Sequence, residues 1–218
     1  MPALAAGSHR LSSHSHPGIA YREYLITSHA VVRASVPLME AAFARAQCMA
    51  RDDPVSARLV SYLPEHIVEE TDHDSWLLED LESIAVDRCT VLDRPPSPRV
   101  AALVGAQYYW IHHYHPAALL GYMAVLEGTP PLLTAVEQMI ERTGFDRRAF
   151  RTLIEHADID KHHADEVFGV IDDLELTTEQ STLLGLSAMH TVVAIAAVID
   201  EVVDRCHPGP IGPGRVVS

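Results

Sequence analysis

His156-Ala157-Asp158-Ile159-Asp160-Lys161-His162-His163 places a histidine, an aspartate and a second histidine at positions i, i+4 and i+7. On an α-helix those positions share one face. His156, Asp160 and His163 therefore form a stripe of ligand-type side chains. His162 points about 100° away and reads as a surface histidine. Three such groups on one helical face are less usual than two, so this stretch sets the reading of the rest: helices that carry metal ligands inward.

Working outward, the helix that holds the stripe runs from Arg147 to about Leu174, with a break near Asp158 left open. Gly144-Phe145-Asp146 before it is a stop and a cap, and Thr177 or Thr178 caps a last helix that reaches about Cys206. Upstream, Tyr21 to about Arg51 has a helical pattern with a bend expected at Pro37. Asp53 is the expected N-cap ahead of Pro54 at the first helical position. A long helix follows from about Val55 to Val86, kinked or divided at Pro64. Asp93 to Pro98 is a loop. Val100 to Tyr114 is helical, His115-Pro116 is a break, Ala117 to Glu127 resumes, and Gly128 to Pro131 leads into a helix that ends near Arg142. No stretch alternates with period two as a half-buried strand does. The expectation is an all-α, seven-helix bundle forming a single domain at 19–206, with a flexible Ser/His-rich N-terminal arm at 1–18 and a flexible tail at 207–218. Bundles commonly build metal sites from side chains on facing helices.

Two further constellations match the first. In Glu65-His66-Ile67-Val68-Glu69-Glu70-Thr71-Asp72-His73, residues His66, Glu69 or Glu70, and His73 fall on one helical stripe. The bland alternative is a solvated polar face. Glu127 closes an otherwise apolar segment, Gly121 to Leu126. A carboxylate in a core needs a cation or donors; at a helix end it can simply face water. Taken together, three histidines and three carboxylates suit a pair of iron or manganese ions better than zinc.

Composition removes other classes. The chain carries 30 acidic against 16 basic side chains, a formal net charge of −14, which repels phosphate backbones and argues against nucleic acid. The cysteines, Cys48, Cys89 and Cys206, form no CxxC pair, which argues against a disulfide framework and fits a reducing cytoplasm. The first twenty residues hold no apolar signal region. Leu183 to Ile199 is apolar but short for a membrane span and contains His190, so it reads as a buried core helix.

The order Glu70-x2-His73, then Glu127, then His156-x3-Asp160-x2-His163 resembles the haem-oxygenase-like di-iron oxidases and oxygenases, over roughly residues 20–206. The resemblance implies a helical bundle whose metal ligands are Glu70, His73, Glu127, His156, Asp160 and His163. It implies two Fe(II) ions, with Mn(II) the alternative, and O2 as co-substrate. The implied chemistry is desaturation or C–H or C–C oxidation of a small amino acid or amine in specialised metabolism, with N-oxygenation of an amine as the alternative. Some members carry a glutamate where this chain has His66, so the ligand from that helix stays open between Glu70 and Glu69, and His66 is a ligand or a donor to one. Glu40 is a candidate further carboxylate. An external electron donor and a homodimer are compatible with the family. No membrane partner is expected.

Tyr108, Tyr109 and His112 form an aromatic and histidine patch before Pro116, and with Trp76 and His190 they are candidates for a substrate pocket. The competing readings are a metal-free, thiaminase-II-like hydrolase, which needs a cysteine nucleophile beside a glutamate, and a non-catalytic helical metal-binding protein. A haem protein ligated by His29 would leave the six carboxylate and imidazole groups without a purpose.

Overall fold

The computed structural model describes residues 2–206. Every regular element among the described residues is helical. In chain order these are α1 (Pro2–Ser12), α2 (Pro17–Val32), α3 (Ser35–Met49), α4 (Pro54–Glu70), α5 (His73–Ser83), α6 (Arg88–Leu92), α7 (Pro98–His113), α8 (Ala118–Leu126), α9 (Leu133–Thr143), a 3-10 turn (Arg147–Phe150), α10 (Arg151–Asp173) and α11 (Thr178–Arg205). The count exceeds the expected seven because two helices expected to be continuous are divided and because α1 and α6 form where no helix was expected.

The divisions have local causes. The expected bend at Pro37 is a break at Arg33-Ala34, and Pro37 sits in the first turn of α3, where no backbone donor is lost. Pro64 lies inside α4 and does not end it. The division comes seven residues later, at Thr71-Asp72, where Asp72 adopts a left-handed conformation with φ 69°. Aspartate tolerates that region better than most residues. The stripe expected on one helix is therefore shared by two. Conversely, α10 runs through Asp158 without a break.

The N-terminal residues depart from the expected flexible arm. Pro2–Ser12 is helical and packs Leu4 and Leu11 against Ala20 of α2 and Ile199, Val202 and Val203 of α11. Leu4 and Leu11 are seven apart and so share a face, a signal hidden by the Ser and His residues between and beyond them. Arg10 pairs with Asp200 of α11. The expected flexible tail lies outside the described residues.

Caps fall where the sequence placed them. The Ser56 N–H donates to the Asp53 carboxylate at 2.7 Å, Thr177 and Gln180 form a reciprocal capping box on α11, and Gly144 ends α9 with φ 67°. Asp53 does more than cap α4. Its carboxylate also accepts from His115 Nε2 at 2.9 Å and from the Gln180 amide at 3.2 Å. His115 Nδ1 accepts from the Ala117 N–H, which fixes the tautomer. Burial pushes the Asp53 carboxyl up, but the Ser56 and His115 donors pull it below its ordinary range. Asp53→Ala removes the cap and strands a buried imidazole N–H. The expected cost is about 2–3 kcal/mol by chemical denaturation, most of it recovered by Asp53→Asn; a loss under about 0.5 kcal/mol would mean the network contributes nothing.

The core has one cluster among α3, α4, α7 and α8 (Leu38, Leu59, Leu63, Leu103, Ile111, Leu120). A second lies among α2, α5, α9 and the 3-10 turn, where Tyr21 stacks on Phe150 at 4.1 Å. Helix α8 is buried along its length and crosses α11 at Gly121. Helix α11 has 28 residues and passes a membrane helix's length and hydropathy test, as core helices of soluble proteins also do. It is only partly the core helix expected: Leu186, Met189 and Val193 are exposed, Val193 at 70%.

Candidate metal centre

The site lies between α4, α5, the end of α8 and α10. Asp80 on α5 aligns two of these. Its carboxylate accepts from the Thr152 N–H at 3.0 Å, capping α10 from a neighbouring helix. One turn further on, His156 Nδ1 donates to the Thr152 carbonyl at 2.8 Å. That bond leaves His156 Nε2 as the lone-pair nitrogen.

Two groups of donors converge. Glu70, His73 and His156 bring ligand atoms within 4.8 Å of one another, and so do His66, Glu69 and His163. Glu70 links the groups: its Oε1 lies 3.3 Å from His73 Nδ1 and 3.2 Å from His163 Nδ1. Glu69 Oε2 is 3.6 Å from His163 Nε2. His66 Nε2 reaches Glu127 Oε1 at 3.2 Å, while its Nδ1 meets the Tyr62 hydroxyl at 3.2 Å. The alternatives of the sequence therefore coexist, with Glu69 in one group and Glu70 in the other.

The electrostatics follow from burial and from mutual proximity. Burial and then the charges of Glu127 and Glu70 push the Asp160 carboxyl up to about 7. Burial likewise raises Glu127, partly offset by His66. Burial also opposes ionisation of Glu70, but the close approach of the His163 and His73 imidazoles overrules it and holds that carboxyl well below the usual range. His156 is lowered by burial. Acidic side chains and imidazoles are thus crowded together in one buried place.

A cation fits that arrangement. Glu69 Oε2, Glu127 Oε2, His73 Nδ1 and His163 Nδ1 are all buried without a hydrogen-bond partner, although buried polar atoms almost always have one. They lie 3.2–3.6 Å from potential partners in several cases, yet not in hydrogen-bonding geometry. Oxygen and imidazole donors in this mixture suit iron or manganese.

The remaining candidates divide. Trp76 packs on His73 at 4.2 Å and on His156 at 5.9 Å, with the Arg151 guanidinium 4.7 Å from its ring. Glu40 is exposed on α3 and joins neither group. Tyr109 and His112 are exposed, Tyr108 stacks on His112 and lines a separate cavity, and His190 lies against Trp110. That patch does not reach the site, because α7 turns it toward solvent and α11. Sequence reasoning missed Tyr62, Tyr122 and Thr152. Tyr62 lies one helical turn before His66 and Thr152 one turn before His156, a spacing that could have flagged both. Tyr122 offered no signal beyond its place five residues before Glu127.

A cavity of about 670 Å³ opens on Glu70, Glu127, His156 and Asp160. The three free cysteines stand apart from it, Cys48 and Cys89 at the surface and Cys206 in the contact between α1 and α11.

Comparison with known proteins agrees with this architecture. A domain of unknown function with a heme oxygenase-like fold from Shewanella denitrificans superposes with a TM-score of 0.76 at 21% identity, over 91% of this chain and 84% of that one. A TenA homolog from Pseudomonas syringae pv. tomato superposes with a TM-score of 0.65 at 15% identity, over 93% of this chain and 90% of that one. At such identities the likeness establishes the fold. No curated protein sequence matches the chain. Residues 22–197 match the family described as iron-containing redox enzyme. That span takes in every donor of the two groups, and the chain belongs to this family of iron-containing redox enzymes.

Proposed function

We propose that the chain is a non-haem di-iron oxidoreductase that uses O2 to desaturate a small organic substrate or to oxidise its C–H or C–C bonds. One observation carries the reading: two donor groups joined through Glu70 and His163, with four buried atoms lacking partners, at the end of a cavity. Glu70, His73 and His156 would hold one iron, and His66, Glu69 and His163 the other, with Glu127, 3.2 Å from His66, and Asp160 on the adjoining cavity wall as further carboxylates. Bound iron supplies one-electron redox chemistry and O2 activation.

The protein's own groups prepare that chemistry. The Thr152 carbonyl holds the His156 tautomer. Tyr62 orients His66. Asp160, neutral below pH about 7, gives up its proton when a cation takes its place. Apolar walls keep water from the reacting carbon. Reducing equivalents come from an external donor.

A second reading, N-oxygenation of an amine, draws support from Glu69, which adds a further carboxylate to the set. A metal-free hydrolase of the TenA type finds no cysteine beside the carboxylates.

The test is anaerobic Fe(II) titration of the metal-free protein, then rapid mixing with O2. About two irons per chain and a visible transient that candidate substrates accelerate are expected. Product analysis separates C-oxidation from N-oxygenation. Failure to bind iron stoichiometrically would reject the proposal.

A further inference from the structure

Helix α2 separates two cavities. Tyr21, Tyr24, Ser28 and Val31 on one of its faces line the cavity of the metal centre. Ile26, His29, Ala30 and Arg33 on the opposite face line a second cavity, of about 580 Å³, a size that holds a small organic molecule. Thr27 borders both. None of the metal-centre donors lines the second cavity. Its charge runs against that of the chain. Of 30 acidic and 16 basic side chains in the sequence, three arginines, Arg33, Arg94 and Arg205, line this space, and among the described residues no aspartate or glutamate does.

Two of the arginines are already engaged. Arg94 donates from Nη1 and Nη2 to Glu23 at 3.1 and 2.7 Å, and Arg205 donates from Nη2 to Glu201 at 2.6 Å. Arg33, the C-cap of α2, has no ion pair among the described residues. His29 lies one helical turn before it and so on the same face. His29 is only 2% exposed, and its Nε2 is buried without a hydrogen-bond partner. Buried polar atoms almost always have a partner, so this nitrogen points to a ligand. A neutral imidazole can donate from it, and a guanidinium forks onto a carboxylate through two parallel bonds. The rest of the wall is largely apolar: Pro37 of α3, Val91 of α6, Pro96, and Val100 and Val104 of α7. One uncommitted cation beside one buried donor, over apolar walls, matches a ligand with a single anionic group and an apolar body.

We propose that this second cavity binds a compact organic acid, its carboxylate held by Arg33 and His29 Nε2 and its apolar body against Val91, Val100, Val104 and Pro37. With no metal donor in its walls, the acid bound there is a second ligand and not the molecule that is oxidised. The assignment does not rest on the di-iron reading.

The test is calorimetric titration of the metal-free full chain with benzoate and cyclohexanecarboxylate, against benzamide, which lacks the charge, and inorganic phosphate, which lacks the apolar body. The two carboxylates are expected to bind at one site per chain, about tenfold or more tighter than either control. Arg33→Gln should remove that advantage at unchanged Tm, since no ion pair is lost. His29→Leu should weaken benzoate about tenfold while Tm holds or rises, since no hydrogen bond of the imidazole is lost. Gly105→Trp is the variant that leaves both groups in place. Gly105 lines the same cavity and a Cβ there would meet nothing within 4 Å, so the added ring should exclude benzoate without strain. Iron per chain after Fe(II) loading should be the same in all three variants. Benzoate bound equally by the unaltered chain and by Arg33→Gln, or phosphate bound as tightly as benzoate, would overturn the proposal. So would a parallel loss of iron and benzoate, which would place the acid at the metal centre.

Discussion

Glu70→Ala is expected to empty both halves of the metal centre. Its carboxylate is the one group in contact with histidines of both sets, His73 at 3.3 Å and His163 at 3.2 Å. It is also the acid whose ionised form the site most strongly favours, since those histidines lower it against the pull of burial. Removing it takes away a ligand, the charge that offsets the cations, and the contact that sets two imidazoles. Even groups that only support a ligand change metal affinity by about 10–100-fold, so loss of a shared ligand should exceed about 100-fold. Iron per chain, measured after desalting, should fall to near zero, and O2-dependent turnover with it. Far-UV circular dichroism should stay helical, because the substitution lies at the last turn of α4, outside the apolar clusters. Glu69→Ala is the contrast. Glu69 touches only the set with His66 and His163, so the group around His73 and His156 should keep its iron. Equal losses in the two variants would mean the sets are not separable.

Gly121→Val should unfold or loosen the contact on which Glu127 depends. A Cβ at Gly121 would lie 2.4 Å from the Leu184 carbonyl oxygen and 2.9 Å from the Ala188 nitrogen. Both are backbone atoms of α11, so no side chain can swing away to make room. One helix must shift, and α8 carries Glu127 at its C-terminal cap six residues later. Overpacking typically costs 1–3 kcal/mol, and contact with rigid backbone puts this case at the upper end, about 3 kcal/mol or more. For a chain of this size that corresponds to a fall in Tm of about 6–12 °C, with weakened iron binding from the displaced Glu127. Gly185→Ala supplies the control. Gly185 also lies on α11 but meets nothing within 4 Å, and alanine is the better helix former by about 1 kcal/mol. That variant should hold or gain stability. A Gly121→Val protein with unchanged Tm would mean that α8 and α11 can separate freely.

The stripe at His156, Asp160 and His163 lies within one unbroken helix, where spacing converts directly into direction, yet spacing does not tell that His156 joins one donor group, His163 the other, and Asp160 neither. The caps at Asp53 and Thr177 were legible because their chemistry is local. The first motif was harder. Its residues converge as expected, yet across two helices, because a single left-handed residue at Asp72 redirects the chain. Sequence spacing cannot reveal a backbone dihedral that several residue types tolerate. The segment α1 was lost in a polar composition that hid two leucines. The aromatic patch at Tyr108, Tyr109 and His112 misled because periodicity gives the faces of a helix but not which face looks inward. Tyr122 and Thr152 escaped notice because an unpaired hydroxyl on the one, and the contact of Asp80 with the other, exist only in three dimensions.

The exposed row on α11, Leu186, Met189 and Val193, bears on how the molecules behave as a colloid. Each copy carries a net charge of −14, so at low ionic strength copies repel before such rows can touch. Screening shortens that repulsion to a Debye length of about 10 Å at 0.1 M salt, while the attraction between apolar surfaces does not weaken. Added salt therefore makes this protein stickier rather than more dispersed, the reverse of a complex held by opposite charges.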